Sequence, residues 1–261
     1  MATTVSSTTF AATYKDDYRD SDHFHRILFN NGKALQAREL TQLQTIIQKE
    51  VARLAKFVVN EGAIFNNSGS LASGTNAAAY TYLKVAALPS GYAGLKGTEI
   101  NHNNIIFATV KAIIPDNTTT ETPPGTLIVR LGKSGGAATS ISADTSQPNN
   151  FALGTVITTT LGTATILSAS GSVGKSSLIE TPAFDTFAGG HLITTEAQIL
   201  VLDATSLSFT GIVGFKLNQQ IITSSDNVAL FDNSGSTPNL SSPGADRLKL
   251  TLTLTKKSDI T

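Results

Sequence analysis

The chain of 261 residues contains no cysteine and no tryptophan, and only one methionine and four histidines. Without cysteine there are no disulfides, no thiolate nucleophile and no Cys-ligated zinc. Charge is scarce as well: Asp, Glu, Lys and Arg supply 15% of the residues, against roughly 25% in ordinary soluble domains. The 19 basic residues balance 19 acidic ones. No strong positive field is then available to hold a polyanion, so nucleic acid is not an expected partner. Few titratable groups are left for acid–base chemistry, and no enzyme activity is expected. No run approaches 18 consecutive apolar residues, and Met1 opens a polar stretch, Ala2 to Thr9, with neither a basic nor an apolar leader region. The expectation is synthesis in a cytoplasm, no membrane insertion, and exit by lysis, by a dedicated secretion machine or inside a particle.

What the chain does contain falls into three patterns. Residues 1 to about 20 show no period of 2 or 3.6 and read as an extended arm that needs a partner surface to order it. From about Ala34 to Asn60, Leu40, Leu43, Ile47, Leu54 and Phe57 recur in steps of three and four, with Glu50 interrupting the seam. Ile46, Val51 and Val58 widen the apolar face. This spacing predicts one long helix of about 37 Å. The Asn30-Asn31-Gly32 turn precedes it as a source of a cap, and Gly62 lies beyond it as a left-handed terminator. A helix of that length needs a second long surface, which is either its own β domain or a two- or three-stranded bundle of copies.

Beyond Ala63 the apolar runs are strand-length: Tyr80–Val85, Ile105–Ile114, Thr126–Leu131, Ile199–Leu202 and Gly214–Leu217. Arg247–Lys256 alternates leucine with Thr, Lys and Arg, the pattern of a half-buried strand. Breaks at Gly69-Ser70, Pro123-Pro124, Ser134-Gly135-Gly136, Pro148 and Ser170-Gly171-Ser172 mark turns. The fold class read from these patterns is α+β. An N-terminal extended arm and one long α-helix occupy residues 1–62, and a mostly antiparallel β domain occupies 63–261. The Gly/Ser/Thr-rich segment 132–182 is either an inserted subdomain or a long loop carrying a hairpin.

Three constellations invite a chemical reading. Ala169-Ser170-Gly171-Ser172-Val173-Gly174-Lys175-Ser176 has relaxed phosphate-loop spacing, but Pro182 arrives before any helix has room to form, so a Gly/Ser turn with a solvent-facing lysine is expected. His23 and His25 would share one side of a strand, but no ligand-spaced carboxylate accompanies them, and no metal is expected. Asp226, Asp232 and Asp246 lie in Asn/Gly/Ser-rich stretches and are expected as turn formers rather than calcium ligands. No cofactor is expected.

The stretch Asp22-His23-Phe24-His25-Arg26-Ile27-Leu28-Phe29, with its His-Arg-Ile-Leu-Phe strand, and then Gln36-Ala37-Arg38-Glu39-Leu40-Thr41-Gln42-Leu43-Gln44 at the start of the helix, resembles the opening signature of a family of virion structural proteins. That family occurs in T4-like cyanophages and other contractile-tailed phages and is carried as a domain of unknown function. Asp226-Asn227, Phe231-Asp232-Asn233 and Ala245-Asp246-Arg247-Leu248 resemble the same family. The resemblance implies a place in the virion, in the phage tail at the baseplate or the tail fibres, and carries no catalytic residue. The candidate interface residues are His25, Arg26 and Phe29 before the helix, then Gln36, Arg38, Glu39, Leu40, Leu43, Ile47, Leu54 and Phe57 on it. Gln36, Arg38 and Glu39 are expected to make polar contacts that fix register between subunits. The expected function is structural: a baseplate or tail-fibre component, attached through its N-terminal region, homotrimeric and surrounded by other baseplate or fibre proteins. The alternative is an adhesin that binds host-surface glycan, for which Tyr80, Tyr82 and Tyr92 are the close aromatic side chains of the β body.

Overall fold

A computed structural model describes residues 14–65, 80–117, 119–132, 151–235 and 237–257. Residues 1–13 of the expected arm lie outside these, as do the breaks at Gly69-Ser70, Ser134-Gly135-Gly136 and Pro148. The chain is α+β, with one long helix and antiparallel strands. It forms two compact units that interleave along the sequence. Residues 1–70, 182–196 and 215–253 build the first, and 71–181, 197–214 and 254–261 the second.

The first unit is organised around helix α1 (Ala37–Val58). The helix starts later than the apolar period suggests, because its cap is Gln36 rather than the Asn30-Asn31-Gly32 turn. Gln36 is extended, at φ −104° and ψ 143°, and its N–H donates to Glu39 Oε2 at 3.0 Å, so the third helical residue reaches back over the first turn. The helix ends at Val59, which is also extended. Gly62 is left-handed as expected, at φ +82°, but it serves the separate turn Asn60–Ala63. That turn leads into β1 (Ile64–Phe65), which pairs with β10 (Phe184–Ala188), and β10 pairs in turn with β11 (His191–Thr195). Gly189 and Gly190 connect β10 to β11 with φ of +60° and +82°, the two positive φ values that a two-residue hairpin of type I′ requires.

The second unit is built on an antiparallel seven-stranded sheet. Its order is β7 (Gly162–Thr165), β6 (Val156–Thr159), β3 (Glu99–His102), β4 (Ile106–Pro115), β5 (Gly125–Leu131), β2 (Tyr80–Val85) and β8 (Val173–Lys175). The described part of segment 132–182 is therefore not a separate subdomain: the β6–β7 hairpin extends one edge of the main sheet, and β8 closes the other. Along β4 the register slips between Val110 and Ala112, which oppose the consecutive residues Val129 and Ile128 of β5. This bulge turns the strand over. Ala108 and Val110 join Leu83, Val85, Leu127, Val129 and Phe151 in the main core, whereas Ala112 and Ile114 face the second core around Tyr80, Ile128 and Leu178. The two-stranded antiparallel sheet of β9 (Ser177–Thr181) and β12 (Gln198–Asp203) contributes Leu178, Ile199 and Val201 to that second core. Apolar strands buried on both faces follow from this double cover.

β13 (Val213–Ile222) and β16 (Arg247–Lys256) form a two-stranded sheet, and β14 (Phe231–Asp232) pairs with β15 (Asn239–Pro243) in another. The predicted alternation on β16 holds at Leu252 and Leu254, both buried, and fades toward Leu248, which is exposed.

Candidate assembly face

Helix α1 carries its polarity the wrong way round for a helix that covers a core. Of its large apolar residues, Ile46 alone is buried, at 2% exposure. Leu40, Ile47, Val51, Leu54, Phe57 and Val58 are exposed, with Phe57 reaching 92%, and Leu43 is half-buried. The widened face predicted from Ile46, Val51 and Val58 is thus divided: Ile46 turns inward and the two valines turn outward. For residues 16–20, the partner surface that the arm was expected to need is the polar side of α1 itself.

That partnership is a ladder of charges and hydrogen bonds. Asp16 is buried, accepts from the Tyr18 N–H at 3.2 Å and takes the Thr45 hydroxyl hydrogen bond. Asp17 pairs with Arg38 at 3.1 Å, and Asp20 with Arg53 at 2.9 Å and Lys49 at 3.7 Å. Burial would push the Asp20 carboxyl up, but the Tyr18 hydroxyl, Lys49 and Arg53 outweigh it and hold the group below the usual carboxylate range. Burial, and next the neighbouring Asp20, push the Tyr18 phenol up. Farther along, His25 Nδ1 lies 3.7 Å from Glu50 Oε1. Tyr14 donates to Asp246 Oδ2 at 2.6 Å, which anchors the start of the described arm and raises the Tyr14 phenol above its ordinary value. The signal present in the sequence is the set of acidic residues at 16, 17 and 20 facing basic ones at 38, 49 and 53. Helical register alone cannot pair them.

The other end of the inward face meets the β10–β11 turn. The Gln48 side-chain amide donates to the Gly190 carbonyl, and the Gly189 N–H donates to Glu61 Oε1 at 2.6 Å. A Cβ on Gly190 would stand 3.3 Å from that of Ala52. Close approach and positive φ both require glycine there.

Placed on this frame, the predicted interface residues separate into two groups. Gln36, Arg38 and Glu39 are engaged inside the chain: Arg38 Nε donates to Gln36 Oε1 at 2.7 Å, and Glu39 caps the helix. Their structural work is the first turn of α1 and its grip on Asp17. His25, Arg26 and Phe29 are exposed, as are Leu40, Ile47, Leu54 and Phe57. The strand that the family resemblance implies around His25–Phe29 does not form. Segment Phe24–Phe29 belongs to no sheet and makes no backbone hydrogen bond among the described residues, while exposing Phe24, Leu28 and Phe29. With Leu35, ten large apolar side chains between residues 24 and 58 face solvent. Summed over the segment and the helix they expose on the order of 1,000 Å², and the six on α1 lie along one side of that helix.

The other constellations resolve as structure. Lys175 is an exposed residue of β8, and the next element is strand β9 rather than a helix, so the phosphate-loop spacing has no helix N-terminus behind it. His23 sits at φ +55° after a 3₁₀ turn, apart from His25 beside Glu50. Among the described residues no cluster of metal-ligating side chains occurs. Asp226 accepts from Thr223 N–H and Oγ1 at 2.9 and 2.8 Å, and Asp232 from Ser234 N–H at 3.0 Å, both closing turns. Tyr80 and Tyr82 are buried, their hydroxyls donating to Glu180 and to the Gly171 carbonyl, each at 3.0 Å. Lys111, at the β4 bulge, binds the same Glu180 at 3.0 and 3.1 Å. Burial, and then the Glu180 charge, push the Tyr80 phenol up to about 12. Only Tyr92 of the three tyrosines lines the shallow depression of about 270 Å³ beside Lys96 and Lys111. Among the described residues, no helix is long and apolar enough to cross a membrane.

No curated protein and no solved structure matches the chain. Residues 12–85 match a family described as a Domain of unknown function (DUF4815), and over that span, which holds the arm, α1, β1 and β2, the chain is similar to the family.

Proposed function

We propose that the chain is a structural component of a phage tail, at the baseplate or in a tail fibre, and that it is built into the virion through its arm and α1. The observation that carries this reading is the outward apolar side of α1, with the exposed apolar side chains of the segment before it, the kind of surface that marks an interaction site. Two further points support it. The residues that resemble the cyanophage virion family, Asp22 to Gln44, include the exposed segment and the start of the exposed helix face. The family match over residues 12–85 covers the same region. The role is mechanical: the face supplies adhesion, the charge ladder presents it, and the chain performs no catalytic step. Glycan binding is the weaker reading, because two of the three tyrosines that would stack on a sugar are buried and already hydrogen-bonded.

The test is to purify particles by density gradient, label them with antibody against this chain and image them. Label concentrated on the tail is the expected result. Particles lacking the chain by mass spectrometry would overturn the proposal.

A further inference from the structure

With Gln36 capping α1, the Asn30-Asn31-Gly32 turn is left without the structural task that the sequence suggests for it. It holds the one Asn-Gly pair of the sequence. Asn31 and Gly32 are both exposed, and Gly32 is left-handed at φ +79°, with no heavy atom within 4 Å of where a Cβ would stand. A long bond closes the turn, from the Lys33 N–H to the Asn30 carbonyl at 3.3 Å. Among the described residues, neither the Gly32 N–H nor the Asn31 side chain makes a hydrogen bond. Rotation about the Asn31 Cα–C bond, which carries the Gly32 nitrogen to the Asn31 side-chain carbonyl, therefore meets no side chain and breaks no bond of that N–H. Asn233-Ser234 supplies the comparison. It is exposed too, but the Ser234 N–H donates to Asp232 Oδ1 at 3.0 Å, and the serine carries the Cβ that glycine lacks.

We propose that Asn31 is a site of spontaneous deamidation. The Gly32 nitrogen, having given its proton to hydroxide, attacks Cγ of Asn31. The N–Cγ bond forms, the Cγ–Nδ2 bond breaks, and the side-chain nitrogen takes up a proton from water and leaves as ammonia. Water then opens the cyclic imide at either carbonyl. Opening at Cγ leaves aspartate; opening at the backbone carbonyl leaves isoaspartate, in which the main chain runs through the former side chain. The balance is an amide and a water to a carboxylic acid and an ammonia, with no oxidant. The product places a carboxylate, ionised at neutral pH, between the exposed Phe29 and Leu35 and takes the formal charge of the chain from zero to one negative.

The test is to incubate the purified, folded full chain in neutral buffer, sample it over time, digest with trypsin and read the peptides by fragmentation mass spectrometry. Cleavage after Arg26 and Lys33 isolates the site in the peptide Ile27–Lys33. Asn31 should convert to a mixture of isoaspartate and aspartate about tenfold faster than Asn233, where the Ser234 N–H must first leave Asp232. The intact chain should gain an acidic form on isoelectric focusing, resolved readily because the starting net charge is zero. Asn31→Gln, at an exposed position, should remove that form. Asn31 intact in the folded chain when the synthetic peptide 27–33 has converted in the same buffer would overturn the proposal. So would equal conversion at Asn31 and Asn233, or an acidic form that persists undiminished in Asn31→Gln. The chemistry needs no partner, so the tail reading stands or falls separately.

Discussion

Leu127 in the second unit is fully buried, and Leu54 in the first is 66% exposed, although both sit in strongly apolar stretches. Strands β2 and β5 have cover on both faces, the main core on one side and the β9–β12 pair on the other, so nearly every apolar residue there is sealed. Helix α1 is held by the reverse logic. Its polar side faces the chain through acid–base pairs, a glutamine and one isoleucine, and its apolar side faces out. Hydrophobicity therefore marks surfaces that need cover, and it does not say which molecule provides it. One region shields its apolar residues by itself; the other leaves them exposed.

The contrast can be tested from its largest effect downward. Leu127→Ala should destabilise the second unit by about 2–5 kcal/mol, because it leaves a cavity between two packed layers; a shift in urea midpoint measures it. Alkaline pH should weaken the same unit through Tyr80. Its folded pKa, about 12, lies above the ordinary 10.0, so the stabilisation is complete below about pH 10 and is lost as pH rises through about 12. The two-unit difference corresponds to about 2–3 kcal/mol. Denaturation series at about pH 9 and about pH 11.5 should show that loss in the natural chain and a smaller one in Tyr80→Phe. A loss of the same size in Tyr80→Phe would assign the effect elsewhere.

Smaller effects belong to the helix. Gly190→Ala forces a side chain into a left-handed turn 3.3 Å from Ala52 and should cost about 1–2 kcal/mol in the first unit, read by hydrogen exchange of α1 and β11. Glu39→Ala removes the carboxylate over the Gln36 N–H and should cost about 0.5–1 kcal/mol, visible as fraying of the first turn by the same method. Leu54→Ala, measured in dilute monomer, should change stability by no more than about 0.5 kcal/mol. A large loss there would mean that the outward face is packed after all, and the contrast between the units would collapse.

Much of the architecture is legible in the residues. Tyr80–Val85 and Arg247–Lys256 are strands with those bounds, and the three-and-four spacing locates α1 to within three residues at each end. These features are local, set by which side of an element each residue occupies. The bulge in β4 is not legible, because Ile105–Ile114 is apolar on both sides and shows no period that a slip could break. Nor is the pairing of Tyr80 and Lys111 with Glu180, which lies 69 or more positions away in sequence. Of the candidate face, the apolar seam is readable, while the bonds that Arg38 and Glu39 make within the chain are not: a capping carboxylate and a charge partner for the arm look the same in sequence as free polar residues.

Composition and periodicity by themselves determined a cysteine-free, weakly charged α+β chain with a single long amphipathic helix, because amphipathic spacing and charge are properties of short stretches. Only the tertiary structure decided which way that helix faces. Its direction depends on Asp16, Asp17 and Asp20 meeting Thr45, Arg38, Lys49 and Arg53, and on a glycine turn from residues 189 and 190 arriving beside Gln48. Those are contacts between distant segments, and their combined hold on the polar side leaves the apolar side to the solvent.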